Sequence, residues 1–342
     1  MRMITGFLWA LTVLAFAGPP APAQTDWEVV KTFQIGGQGG WDYLTADPHT
    51  HRLYVPRTTH TMVIDTQTGK TIADIPGQKN AHGVALAPAA GRGFISDGGG
   101  DGAIVIFDLK TYAILGSLAA LPDADGIIFD PKSGHVLVVS GRGKALLSFK
   151  PDIDPKNGKL DAPVALRGEP EFLAADEAGK VYINLMDTHE VAVVDFKTRK
   201  VIANWPVAPG GLPVGMAIDV RNGRIFIGCR GPQKLIVMST KDGKVLSDLP
   251  IGESVDAVKL DNGEAFASTA GAQLFIARET SPGKFAMVQT VKTGDGARTM
   301  ALDPTTHRIY LPAAEFATGA NGRQEQKPGT FRILVVARRT LK

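Results

Sequence analysis

The chain has 342 residues, with 37 lysines and arginines against 34 aspartates and glutamates, so its formal net charge is only +3. No run of basic residues exceeds two, which argues against a clustered basic face for nucleic acid. The single cysteine, Cys229, excludes an internal disulfide and a CxxC motif, and its place at the end of an apolar strand predicts a small buried residue.

The first 23 residues have the pattern of an export signal. Arg2 supplies a charged start, residues 7–17 an apolar core and Ala21-Pro22-Ala23 an A-x-A cleavage site. The apolar core is too short for a membrane span, which takes about 20 residues, and no later segment is long and apolar enough. We therefore expect one mature domain, residues 24–342, that is periplasmic or secreted, has no membrane span and is a monomer.

A seven-residue pattern then recurs seven times along the chain. The copies end at residues 47, 87, 130, 176, 219, 261 and 303, so that successive gaps are 40, 43, 46, 43, 42 and 42 residues. A period of about 40–45 residues is typical of the blades of a β-propeller. The repeat therefore predicts an all-β fold, a seven-bladed β-propeller.

Each repeat contains the signals of four short strands. A turn such as Asp47-Pro48 follows the pattern, and β-rich runs such as Leu53-Tyr54-Val55 and Met62–Asp65 come next. A fourth run ends the unit, as in Val245–Gly252. Four such runs predict a four-stranded antiparallel blade.

The last repeat is incomplete. Only five residues follow Phe331–Ala337, whereas the segment Trp27–Gly36 near the start of the chain reads like a spare fourth strand. We expect this N-terminal strand to pair with the last blade and to close the ring, because an exposed strand edge would otherwise remain.

The second and third strands resemble the YVTN-type β-propeller repeat. The matching residues include Tyr54-Val55, Val63–Lys70, Tyr182-Ile183-Asn184 and Val193–Thr198, and the resemblance covers residues 27–338. The resemblance implies an extracytoplasmic bacterial or archaeal seven-bladed propeller, mostly of binding or unknown function. Tetrads such as Tyr54-Val55-Pro56-Arg57 depart from the motif, which itself carries no function here.

The second position of the repeated pattern is polar or charged in six of its seven copies. Its occupants are Asp42, His82, Asp125, Glu171, Val214, Asp256 and Arg298. The fourth and sixth positions are apolar throughout and are expected to pack between blades, since alternate residues share a strand face. The second position lies where each innermost strand begins, so we expect a ring of these side chains at one mouth of the central channel.

Three interpretations of this ring stay open: a solvated ring paired through Arg298, a cation or ligand site, and a catalytic site with a carboxylate or His82 as general base. The predicted metal ligands are Asp42, Asp125, Glu171 and Asp256, whose oxygens suit Ca²⁺ or Mg²⁺. The predicted ligand-binding residues are Trp41, Asp42, Arg57, His82, Asp125, Glu171, Asp256, Arg298 and Glu315.

The predicted function is that of an exported binding protein that takes a small molecule or a protein at the channel mouth. The alternative is a lactonase-like hydrolase, metal-dependent or not, acting at the same ring, an analogy that rests on the fold alone.

Two features beside the ring have open roles. The loop 313–330 is either a flap or disordered, and Trp41 is either a stacking platform or part of the core.

Overall fold

The computed structural model describes residues 27–176, 178–319 and 322–339, and the predicted export signal lies outside them. The described residues form an all-β fold, in which the one helical element described is a 3-10 turn, Pro88–Ala90. The strands, in chain order, are β1 Trp27–Gln34, β2 Thr45–Asp47, β3 Arg52–Asp65, β4 Thr71–Ala87, β5 Arg92–Asp97, β6 Ala103–Asp108, β7 Ile114–Ala119, β8 Ala124–Asp130, β9 His135–Ser140, β10 Ala145–Phe149, β11 Val164–Ala165, β12 Pro170–Ala175, β13 Lys180–Leu185, β14 Glu190–Asp195, β15 Lys200–Pro206, β16 Pro213–Asp219, β17 Arg224–Arg230, β18 Gln233–Ser239, β19 Val245–Pro250, β20 Val255–Asp261, β21 Glu264–Thr269, β22 Gln273–Ser281, β23 Lys284–Lys292, β24 Ala301–Asp303, β25 Arg308–Ala313, β26 Phe316–Thr318, β27 Gln324–Gln326 and β28 Arg332–Arg338. Among the described residues, no helix has the length and apolar character that crossing a membrane would need.

The strands assemble into a β-propeller built on a four-stranded antiparallel unit. The four-stranded sheets have the orders β8-β9-β10-β11, β12-β13-β14-β15, β16-β17-β18-β19, β20-β21-β22-β23 and β24-β25-β28-β1. A sixth sheet has six strands in the order β2-β3-β4-β5-β6-β7, and β26 and β27 form a small hairpin of their own. The predicted fold class and blade type are confirmed, and the predicted count of seven blades stays a prediction.

The middle strands of each unit are apolar on both faces because a neighbouring sheet covers each face. In β18, the side chains from Leu235 to Met238 are all fully buried. Between two adjacent sheets, Val139 and Leu146 pack with Val181 and Ile183. Burying side chains of this size stabilises the fold by about 1.5–3 kcal/mol each.

The first strand of the described chain joins the last. β1 pairs antiparallel with β28, with Trp27 opposite Arg338 and Gln34 opposite Arg332. The indole of Trp27 also donates to the Glu264 carboxylate of the neighbouring sheet at 3.0 Å and packs edge-on against Phe266. The predicted pairing of these two segments is therefore observed.

Register irregularities in the innermost strands decide which side chains face the central channel. They occur near the start of the repeat in five strands, between Ala81 and Gly83, Ala124 and Ile127, Pro170 and Leu173, Pro213 and Met216, and Val255 and Ala257. A bulge leaves a residue unpaired and re-aims its side chain. The simple alternation expected from the sequence is therefore broken between the second position and the rest of the strand.

Beyond the bulge, the alternation holds. All seven residues at the fourth position are buried, as predicted: Leu44, Val84, Ile127, Leu173, Met216, Val258 and Met300. The sixth position is half-buried. Tyr43, Phe172 and Lys259, at the third and fifth positions, line a cavity together with fourth- and sixth-position residues such as Leu44 and Phe129.

Candidate functional site

The polar residues at the second position converge at one mouth of the channel, together with Arg230. We call this group the channel-mouth cluster, which consists of Asp42, His82, Asp125, Glu171, Arg230, Asp256 and Arg298. Three of the predicted residues are the second residues of innermost strands, namely Asp125 of β8, Glu171 of β12 and Asp256 of β20. His82 lies within β4, Asp42 and Arg298 precede β2 and β24 by three residues, and Arg230 ends β17. The predicted ring thus exists as a set of neighbouring groups, and Val214 at the remaining position is fully buried.

His82 forms the centre of one half of the cluster. Its Nδ1 lies 2.7 Å from Asp42 Oδ2 and 3.5 Å from Asp125 Oδ1. Its Nε2 lies 2.7 Å from the side-chain amide nitrogen of Asn80. About one sixth or less of each of the side chains of Asp42, His82 and Asp125 is exposed, at 16%, 16% and 15%.

The charge of His82 is set by these two carboxylates. Burial alone would lower the pKa of His82, but the hydrogen bond that it donates to Asp42 and the nearby charge of Asp125 outweigh burial and raise the pKa to about 9. His82 is therefore an imidazolium at neutral pH that donates from Nδ1 to Asp42, and its Nε2–H requires the Asn80 amide to present its oxygen rather than its nitrogen.

The other half of the cluster is an ion-paired carboxylate. Asp256 is buried, with Oδ1 2.5 Å from an Arg230 guanidinium nitrogen and Oδ2 2.6 Å from Arg298 Nε. Burial and then the charge of Asp42 raise the pKa of Asp256 to about 6, against the opposing effect of the two arginines. Both oxygens of this carboxylate are occupied by cations of the protein itself.

Asp125 and Glu171 have unused oxygens. Asp125 Oδ1 is buried and has no hydrogen-bond partner within the described part of the chain, and burial raises the pKa of Asp125 well above its ordinary value. No described residue hydrogen-bonds to the carboxylate of Glu171. Burial and then the charge of Asp256 raise the pKa of Glu171 to about 7. These two groups are the ones that can accept a ligand without first losing a hydrogen bond within the described part of the protein.

The cluster is nearly balanced in charge. The sequence predicts four carboxylates against Arg298 with His82 neutral, a net charge of −3. The structure adds Arg230 and protonates His82, so three cationic groups face four carboxyl groups, of which Asp125 and Glu171 have raised pKa values. The sequence therefore predicted a strongly acidic ring, whereas the structure shows two separate halves, one built around His82 and one around Asp256.

A pair of aromatic rings lies directly beneath the cluster. Tyr43, from the segment before β2, and Phe172, from β12, approach with ring centroids 4.5 Å apart. The Tyr43 hydroxyl donates to the backbone carbonyl of Asp256 at 3.2 Å. The pair separates the channel-mouth cluster from the cavity farther along the channel.

Two of the predicted ligand-binding residues lie in the core instead. Arg57 is fully buried, with its guanidinium 3.6 Å from the centroid of Phe331 and hydrogen bonds to the carbonyls of Gly36, Gly39 and Gly40. Trp41 is 8% exposed and packs between Phe316 and Phe331. Arg57 thus holds the segment before β2 in place, and Trp41 has the core role that was one of its two alternatives.

The long loop 313–330 contains an ordered element. The hairpin of β26 and β27 places Phe316 against Trp41, with ring centroids 6.1 Å apart. Glu315, the predicted ligand residue in this loop, is half exposed and lies 3.3 Å from the ammonium of Lys327. The hairpin, Trp41 and Arg298 line a shallow cavity of about 370 Å³ beside the mouth.

The residues best placed to hold a metal ion differ from the predicted set. One oxygen of Asp42, one of Asp125 and one nitrogen of His82 lie within 4.8 Å of one another. Of the four predicted ligands, Asp42 and Asp125 belong to this group, whereas Asp256 is paired with arginines and Glu171 stands apart. The donor set is therefore mixed nitrogen and oxygen rather than oxygen alone.

Sequence reasoning missed four residues of the channel. Asn80 lies two residues before the ring position, and Tyr43, Phe172 and Lys259 occupy positions that alternation alone does not assign to the channel. Arg230 was recognisable as a rim residue at the end of β17, but its pairing with Asp256 depends on the spacing between two sheets. A column-by-column comparison of the third and fifth positions would have found the aromatic pair and the lysine.

No protein-family model matches the chain, and no curated protein matches it. Solved structures do resemble it in fold. The chain is similar to the WD40 repeats of RRP9, with 11% identity, a TM-score of 0.74 and coverage of 93% of this chain and 99% of the other. It is also similar to a chain of hydrazine synthase from Kuenenia stuttgartiensis, with 12% identity, a TM-score of 0.69 and coverage of 89% and 96%. At such low identity these likenesses establish the β-propeller fold and nothing of function.

Proposed function

We propose that this chain is a binding protein whose ligand site is the channel-mouth cluster. The observation that carries the proposal is the buried Oδ1 of Asp125, which has no hydrogen-bond partner among the described residues and only a 3.5 Å ion-pair contact with His82. A buried carboxylate oxygen without a partner costs free energy, which a bound cation or hydrogen-bond donor recovers. Convergent polar groups in a concavity are the usual form of a binding site.

The ligand that this geometry suits best includes a divalent cation. Asp42, His82 and Asp125 would hold it, and their nitrogen and oxygen donors suit Mn²⁺ or Zn²⁺ better than Ca²⁺, which prefers oxygen alone. The His82 imidazolium must lose its proton to bind a metal, so affinity rises with pH. Glu171, to which no described residue donates a hydrogen bond, can bind the polar part of an organic ligand.

We also propose that the propeller has seven blades in a closed ring. Support comes from the six-stranded sheet, because β3 and β4 are long strands of 14 and 17 residues. β4 pairs with β3 through residues 71–76 and with β5 through residues 81–87, as the outer strand of one blade and the inner strand of the next would. The pairing of β1 with β28 supports closure.

We further propose that the protein is exported to the periplasm or the medium and that it belongs to the YVTN-type repeat family. Their support is the sequence alone: the charged start, apolar core and A-x-A site of residues 1–23, and the strand motifs of residues 27–338. On this basis the mature chain, residues 24–342, is one monomeric domain that takes a small molecule or protein at its channel mouth and does not bind nucleic acid.

A lactonase-like hydrolase is the second candidate, and Glu171 is the observation that favours it. A carboxyl group with a pKa of about 7 that has no protein partner is suited to general acid–base work near neutral pH. If the protein hydrolyses simple lactones, Glu171→Gln should lower kcat by 10²-fold or more, whereas the exposed Glu253→Gln should leave it unchanged. Absence of turnover in the metal-loaded wild-type protein would remove this candidate.

The binding proposal is tested by thermal melting of residues 24–342, first with EDTA and then with Mn²⁺, Zn²⁺, Ca²⁺ or Mg²⁺. A ligand that binds only the native state adds about 2.7 kcal/mol at 100 times its Kd. We expect Mn²⁺ or Zn²⁺ to raise the Tm of the wild type and of the matched control Asp248→Asn, an exposed ion-paired aspartate. Asp125→Asn should abolish the shift, and an equal shift in Asp125→Asn would overturn the proposed site.

A further inference from the structure

A second cavity occupies the far end of the channel, behind the Tyr43–Phe172 pair. Its volume is about 370 Å³, within the usual range of about 300–1,000 Å³ for small-molecule sites. The turn residues Asp47 and His49 belong to its lining, and they lie at the opposite end of the first repeated pattern from Asp42 of the channel-mouth cluster. Its apolar walls include Leu44, Val84, Ala85, Ile127, Ile128 and Phe129.

Lys259 is the one lysine that lines this cavity. Its ammonium lies 5.5 Å from the centroid of the Phe172 ring, and it forms no hydrogen bond or ion pair with any of the residues that the structure describes. Asp47, the one carboxylate in the lining, is engaged by its own turn, with contacts of 3.0 Å to the His49 amide and 2.7 Å to the Thr50 hydroxyl. Burial lowers the pKa of Lys259, and no acidic neighbour opposes that effect.

We propose that this cavity binds a small organic carboxylate with an apolar body, such as an aromatic or medium-chain acid. The carboxylate would pair with the Lys259 ammonium, and the body would lie against the apolar walls and the faces of Tyr43 and Phe172. A buried ammonium without an anion costs free energy. A hydrogen bond between an ammonium and a carboxylate in such surroundings is stronger than one between neutral groups.

This site is independent of the channel-mouth cluster. The Tyr43 hydroxyl points toward the mouth, where it donates to the Asp256 carbonyl, so only the rings of the aromatic pair face the cavity. None of the seven residues of the channel-mouth cluster lines the cavity. Binding here can therefore succeed or fail irrespective of cation binding at the mouth.

The test is a calorimetric or ligand-observed NMR titration of residues 24–342 with benzoate and hexanoate at pH 7, with benzamide as the neutral comparison. We expect benzoate or hexanoate to bind, and benzoate to bind at least about tenfold more tightly than benzamide, the value of one charge-assisted contact. Lys259→Met keeps the length and apolar character of the side chain and should weaken carboxylate binding by about tenfold or more. Lys241→Met, on an exposed turn, should bind like the wild type.

Asp125→Asn, which disables the proposed cation site, should also leave carboxylate binding intact. Failure of both acids to bind the wild type at millimolar concentration would overturn the proposal. Equal binding of benzoate and benzamide to the wild type, or of benzoate to the wild type and Lys259→Met, would do so as well. The comparison of benzoate with benzamide needs no variant and decides the matter even if a substitution affects folding.

Discussion

The protonation state of His82 determines whether the repulsion between the neighbouring carboxylates of Asp42 and Asp125 is offset. Two carboxylates this close repel each other unless a cation lies between them, and the imidazolium supplies that cation in the structure described here. A divalent ion would supply it equally well after the proton has left. The same three side chains can therefore be a structural ion triad or a metal site, and pH selects between them.

The pH dependence of stability tests the role of His82. Its pKa is raised from about 6.5 in the unfolded chain to about 9, so its contribution is fully present below pH 6.5 and is lost as pH rises to about 9. In metal-free buffer we expect His82→Gln to be less stable than the wild type by up to about 3 kcal/mol below pH 6.5. The difference should shrink toward zero by pH 9, as measured by urea unfolding.

The exposed His49, whose imidazole ring has no carboxylate partner among the described residues, gives a matched control. His49→Gln should follow the wild type across the whole pH range. A stability difference between His82→Gln and the wild type that stays constant from pH 6 to pH 9 would contradict the ion triad.

At the scale of strands, the sequence predicted elements well and side-chain direction only in part. The repeat period and runs such as Met62–Asp65 predicted four-stranded antiparallel sheets, because turn residues and β-branched residues act locally. The bulges at residues such as Gly83 and Leu173 depend on the fit of inner strands around the axis, so alternation could not assign Tyr43, Phe172 and Lys259 to the channel. Arg57 was misplaced for a related reason: its carbonyl partners at Gly36, Gly39 and Gly40 belong to an irregular segment.

The docking of β1 onto β28 gives a prediction at this scale. Phe33 is 5% exposed and faces the core, whereas Val30 on the same strand is 45% exposed. Phe33→Ala should therefore destabilise the protein by about 3–5 kcal/mol, and Val30→Ala should change stability by less than about 0.5 kcal/mol. Both values follow from denaturant unfolding, and equal effects of the two substitutions would mean that β1 contributes little to the fold.

At the scale of the whole molecule, the propeller provides one channel with two chemically different ends. The mouth carries the charged cluster, the Tyr43–Phe172 pair divides the channel, and the far cavity is apolar apart from Lys259 and the turn residues in its lining. The all-β architecture was readable from the repeat, whereas the pairing of Arg230 with Asp256 and the division of the channel required the assembled sheets. Charge balance between sheets, rather than any single motif, leaves the Asp125 oxygen without a hydrogen bond from the described residues.

The most direct test of the proposed function is a calorimetric titration of EDTA-treated residues 24–342 with Mn²⁺ or Zn²⁺, repeated in buffers of different ionisation enthalpy. Because His82 is protonated at pH 7 and the pKa of Asp125 is also raised, binding at Asp42, His82 and Asp125 should release at least about one proton per ion bound. Asp125→Asn and His82→Gln should abolish the high-affinity step, and Asp248→Asn should keep it. Absence of binding by the wild type, or binding that releases no proton and survives Asp125→Asn, would contradict the account.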